Sequence, residues 1–229
     1  MAILSLAIYG SRARGDYNDL SDIDLFAITD EEHYRMSVEG NSNLACYPKK
    51  LAIQRAINGD LFILHICEES REIYNCGFGV SDIKLIFSYK DDYSYEKLCA
   101  ADLAWFLIDF NGRFKGSKVF NKRIAWCVRT IFIACSAELR KPVFSRDALV
   151  NFSGEKVVDD LIKVKESKVM DISLLKDLQS LLIKLGFPKP SLKSTTVENY
   201  HRRFIKTENA MGLKMIEFLA HAETHFGYN

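Results

Sequence analysis

The chain has 229 residues, of which 48% are hydrophobic and 27% charged, and its formal net charge is +1. This is the composition of an ordinary soluble globular protein with room for one large or two small domains. No apolar run reaches the ~20 residues of a bilayer-spanning helix, and the first residues lack a signal-peptide pattern, so no membrane association and a cytoplasmic location are expected.

The charge is unevenly spread. Residues 1–94 hold 9 Lys/Arg against 15 Asp/Glu, net −6, and residues 95–229 hold 22 against 15, net +7. An acidic front half suits a metal site; a basic rear half suits a polyanionic substrate or an acidic partner, unless its lysines are simply solvated helix faces. Six cysteines without any Cys-x-x-Cys spacing point to reduced thiols rather than to zinc or a redox pair.

In chain order, LSLAIY and IDLFAIT read as strands, joined through a Gly-Ser turn and a short helix or loop. SNLACY is a third, weaker strand ending at Pro48. KKLAIQRAIN has helical spacing and stops at Gly59. DLFILHIC is strongly apolar, and periodicity alone allows strand or buried helix. REIYN and DIKLIF read as an edge strand and a connection. From Tyr95 the pattern changes. Six segments with three-and-four apolar spacing follow, from YEKLCAADLAWFLIDF to NAMGLKMIEFLAHAETHF, with Ser145 resembling a helix start. The expected fold is an α/β sheet domain over residues 1–93 followed by an all-helical bundle over 94–229.

Chemistry concentrates at the start, in YGSRARGDYNDLSDIDLF. Ten residues separate Ser11 from Asp22, and Asp22 and Asp24 form Asp-x-Asp at a strand. Period two puts both carboxylates on one face, where they repel unless a cation lies between them. Mg²⁺ is the natural choice, held by one or two carboxylates plus substrate phosphates. The Gly10-Ser11 turn supplies backbone N–H groups and a hydroxyl suited to a triphosphate.

Gly10, Ser11, the ten-residue spacer, Asp22 and Asp24 resemble the GSx10DxD signature of polymerase-β-type nucleotidyltransferases, most closely the minimal nucleotidyltransferases. The resemblance implies a Mg²⁺- (or Mn²⁺-) dependent transfer of NMP from an NTP to a hydroxyl, releasing pyrophosphate. Asp22 and Asp24 would be catalytic metal ligands, and Gly10, Ser11, Arg12 and Ser21 nucleotide contacts. Arg14, in the same loop, is a further guanidinium suited to phosphate. Such proteins generally carry a third carboxylate on the next strand, and here that position falls on Asn43. An amide can neither take a proton nor neutralise a second cation. Either two carboxylates suffice, or Glu39, Glu68 or Glu69 substitutes, or the domain is a catalytically weak nucleotide-binding or antitoxin-like interaction module.

The helical half is similar in arrangement, without a shared motif, to the acceptor-binding helical domain of single-chain nucleotidyltransferases. Arg202 and Arg203, beside Tyr200 and Phe204, are candidate contacts for an RNA or protein acceptor. The competing reading is an exposed basic turn above two core aromatics.

Overall fold

The computed structural model describes residues 2–19, 21–114, 118–167, 169 and 172–226, with side chains as far as 221. The chain divides into two compact units, Met1–Asp92 with Ala137–Ser145, and Tyr93–Ser136 with Arg146–Asn229.

The first unit is built on a mixed five-stranded sheet: β1 (Ile3–Tyr9), β2 (Ile23–Thr29), β3 (Arg35–Glu39), β4 (Ser42–Pro48) and β5 (Arg71–Asn75), in the order β3-β4-β2-β1-β5. A four-residue helix, α1 (Ser11–Arg14), joins β1 to β2, which run antiparallel; β2 and β4 run parallel. β3 is an element that the sequence reading does not include. Met36 and Val38 alternate with Arg35, Ser37 and Glu39, but the run is only five residues long and all of it is exposed. It pairs with β4 across the turn at Gly40 and Asn41, with Gly40 at φ +59°.

Three helices follow: α2 (Lys49–Ile57), α3 (Leu61–Glu69) and α4 (Val80–Ile86). The ambiguous run DLFILHIC is helical because Asp60 caps it, its carboxylate accepting from the N–H groups of Phe62 (2.9 Å) and Ile63 (3.0 Å). DIKLIF, expected as a connection, is most of α4. Its first turn is held by Asp82, whose carboxylate accepts from the Gly79 N–H at 2.8 Å. Alternation along the strands puts Ala7, Phe26, Ile28, Ala45 and Tyr47 on one face, where they pack with Ala52, Ala56, Ile63 and Ile66 of the helices.

The second unit is helical: α5 (Ser94–Asp109), α6 (Lys118–Glu138, whose last two residues belong to the first unit), α7 (Arg146–Ser153), α8 (Val157–Lys163), α9 (Ile172–Lys184), α10 (Val197–Lys206) and α11 (Ala210–Phe226), with two short 3-10 turns. α5 is buried continuously from Cys99 to Leu107 and packs against α9 and α11. All six cysteines are free, and no helix among the described residues is long and apolar enough to cross a membrane.

Candidate active site

The site forms where β1 ends and β2 begins. Ladder pairing sets Tyr9 opposite Asp24, Asp24 opposite Asn43, and Asn43 opposite Val38, so these four residues make one row across the sheet. Cross-strand neighbours share a face. Asp24 therefore projects from the helix-covered face, at the end of the strand beyond Phe26.

Gly10 turns the chain out of β1 at φ +72° and ψ −150°, a conformation open essentially to glycine. A Cβ there would lie 3.3 Å from Asp24 Oδ2. The missing side chain is thus what lets the carboxylate lie against the loop. Gly10→Ala is expected to lose about 1–3 kcal/mol of stability from the backbone conformation and to displace Asp24. Urea unfolding measures the first effect, and unchanged stability would contradict it.

The other Asp24 oxygen, Oδ1, accepts from Asn43 Nδ2 at 3.0 Å. An ionised carboxylate only accepts, so the amide must present its NH₂ to it. Asp22 sits one residue before β2, exposed, with no carboxylate partner among the described residues. The Ser11 hydroxyl likewise has no hydrogen-bond partner there.

Arg12 and Ser21 shape this region from below. The Arg12 guanidinium donates to the backbone carbonyls of Ser21 (3.1 Å) and Asp22 (3.3 Å) and lies 4.8 Å from the Tyr17 ring centre. Ser21 closes the preceding turn: its hydroxyl accepts from the Asn18 N–H (3.0 Å) and donates to Asn18 Oδ1 (3.2 Å). Both side chains hold the backbone that leads into Asp22. Arg14 pairs with Asp16 and Glu69. Of the three acids expected as stand-ins for a third carboxylate, Glu69 is thus engaged. Glu68 lies 4.0 Å from Lys84, and Glu39 is on exposed β3, beyond β4 from Asp24. Among the described residues no group of three His, Cys, Asp or Glu side chains is gathered to hold a metal. Asp24, with Gly10 leaving room beside one of its oxygens, and the exposed Asp22 two residues earlier are hard oxygen donors of the kind that suit a cation completed by phosphate ligands.

Burial pushes the Tyr9 hydroxyl well above its ordinary pKa, and the neighbouring Asp24 charge adds to this. Tyr9 is a neutral wall of the site, its ring meeting Phe62 and His65 edge-on at 5.5 Å each.

Arg202 and Arg203 lie on α10 in the second unit, both already engaged. Arg202 pairs with Glu198 one turn back. Arg203 grips Asp102 of α5 with Nε at 2.6 Å and Nη2 at 2.9 Å, and Asp102 is only 3% exposed. Tyr200 and Phe204 are fully buried, and the Tyr200 hydroxyl donates to Asp109 at 2.7 Å. Arg203→Ala would strand the Asp102 charge. With the Arg203 side chain 27% exposed, the expected loss sits at the low end for a buried pair, about 2–3 kcal/mol in urea unfolding. A loss below half of that would mean that water replaces the guanidinium.

Residues 2–98 match the family model described as a nucleotidyltransferase domain, and this segment carries that domain, followed by the helical region. None of the curated proteins compared matches the chain.

Proposed function

We propose that this chain, through the nucleotidyltransferase domain at residues 2–98, moves a nucleoside monophosphate from an NTP to a hydroxyl acceptor. The acceptor hydroxyl gives its proton to water, its oxygen forms a bond to the α-phosphorus, the bond from that phosphorus to the α–β bridging oxygen breaks, and pyrophosphate leaves. The observation that carries the reading is the Asp24 carboxylate lying against Gly10, with Asp22 two residues before it and the Ser11 hydroxyl in the same loop.

A divalent cation, Mg²⁺ or Mn²⁺, supplies charge neutralisation between triphosphate and acceptor in such transfers. Asp22 and Asp24 would hold it. Gly10 lets the backbone approach the phosphates, and Ser11 donates to a β or γ oxygen. Arg12 and Ser21 act one step back, fixing the carbonyls and turn that aim Asp22. Asn43 orients Asp24 but cannot accept the acceptor's proton. The helical half, residues 94–229, we assign to acceptor selection. Its net +7 charge favours an RNA end or a protein over a small molecule.

The amide donated into Asp24 favours a second reading, a module that binds nucleotide without turning it over. The test incubates the full chain with each α-labelled nucleoside triphosphate, Mg²⁺ and total cellular RNA or protein. Label in a macromolecule with pyrophosphate released is the expected result. Bound nucleotide with no pyrophosphate supports the second reading, and no nucleotide bound at all overturns both.

A further inference from the structure

Glu69 occupies a position that elementary electrostatics disfavours. It is the last residue of α3, and its charge lies at the negative end of the helix dipole. Its side chain is only 16% exposed. Burial pushes its carboxyl up, yet the hydrogen bond and charge of His65, and those of Arg14, outweigh burial and leave it below the usual carboxylate range. An anion kept there has specific partners. One is His65, a turn earlier on α3, whose Nε2–H donates to Oε2 at 2.9 Å. The other is Arg14, the last residue of α1, whose Nη1 donates to the same oxygen.

The surroundings fix this cluster further. The His65 ring stacks on Phe144 with centres 4.4 Å apart and planes 12° apart, and meets the Tyr9 ring edge-on at 5.5 Å. Tyr9 is the residue paired with Asp24. On its other side, Arg14 Nε donates to Asp16 at 3.1 Å, just beyond the left-handed Gly15. The short helix α1 makes only a single turn, too little to be stable alone. Arg12 ties it to the Ser21 and Asp22 carbonyls, and at its back Arg14 ties it to the body of the domain through Glu69.

We propose that Glu69 is a positioning residue of the nucleotide site, fixing the Arg14 guanidinium and through it the short helix that presents Ser11. This rests on the Gly10–Ser11 loop being the nucleotide site. Glu69 touches neither substrate nor metal; it acts by keeping one geometry of the loop populated before nucleotide arrives. Its loss therefore weakens nucleotide binding and leaves the reacting groups Asp22 and Asp24 intact. The expected signature is a higher KM for NTP with kcat changed less than about twofold.

The test is a double-mutant cycle on the full chain with Arg14→Ala, Glu69→Ala and both together. The Kd of an α,β-non-hydrolysable analogue of each nucleoside triphosphate is measured with Mg²⁺, and thermal unfolding is followed alongside. Each single variant is expected to weaken binding about tenfold. The double variant is expected to be no weaker than Arg14→Ala, because the two side chains act as one unit. Glu69→Gln, which keeps the shape and one acceptor oxygen for Arg14 and His65 but drops the charge, should fall between wild type and Glu69→Ala. It also serves as the reporting variant if Glu69→Ala does not fold. Additive effects, or an unchanged Kd in Glu69→Ala or in a folded Glu69→Gln, overturn the positioning role while leaving the nucleotide site standing. Wild-type chain that binds none of the analogues overturns the nucleotide site itself, and the proposal with it.

Discussion

Asp24→Asn is expected to lower nucleotidyl transfer by about a thousandfold or more while leaving the chain folded. Removing a group that stabilises developing charge typically costs 10²–10³ in rate, and here the same change also weakens the cation site. The fold should tolerate it. An amide at residue 24 still offers Asn43 an acceptor oxygen in place of Oδ1. Asp22→Asn should give a similar loss of activity with even less effect on stability, since its exposed side chain has no partner among the described residues. Label transfer and thermal unfolding, measured side by side, check both. Full activity in either variant would remove that carboxylate from the site.

Asn43→Asp is expected to act in the opposite direction. It creates a carboxylate in ladder register with Asp24, where Asn43 now reaches Asp24 Oδ1 at 3.0 Å. A base placed to take the acceptor's proton is worth about 10²–10⁴-fold, so the rate should rise within that range. The same change has a cost. Like charges on directly opposed strand residues repel, so the variant should unfold at a lower temperature than wild type in EDTA and recover with Mg²⁺. A rate unchanged with every acceptor tried, together with an unfolding temperature indifferent to Mg²⁺, would show that residue 43 faces no reacting group.

Much of this was readable from the chain itself, for definite reasons. β1, β2 and β4 carry apolar runs between turn signals, and the period-two rule brings Asn43 beside Asp24 once their strands are neighbours. Most helices of the second unit show their three-and-four spacing because they bury one side; α5, buried continuously from Cys99 to Leu107, is buried all round there. β3 is missed although Met36 and Val38 alternate with Arg35, Ser37 and Glu39, because two apolar residues in a five-residue run are too short a period to stand out beside the long apolar runs of β1, β2 and β4. α3 was undecided until a cap, Asp60, distinguished helix from strand. The pairs Arg14–Glu69 and Arg203–Asp102 join residues 55 and 101 positions apart. Nothing local in sequence couples such partners, so Arg203 reads as a surface cation although it neutralises a buried acid. Glu69 reads from the sequence only as a possible stand-in for the third carboxylate, and His65 as one residue of an apolar run; only the fold joins them to Arg14.

The exposed edge strand bears on how the domain can vary in length. In most sheets a single inserted residue in a hairpin would turn one strand over and scramble every side chain it presents to the interior. Here β4 is pinned on one side by β2 and by its own buried residues Ala45, Cys46 and Tyr47, while β3 buries nothing. An insertion at Gly40–Asn41 is therefore taken up by β3 sliding along its neighbour, and Asn43 keeps its seat opposite Asp24. The rim from Asp30 to Asn41 works as a slip joint. A change of length there shifts the partner of Asn43 on β3, while Asn43, Asp24 and Tyr9 on the next three strands stay in step.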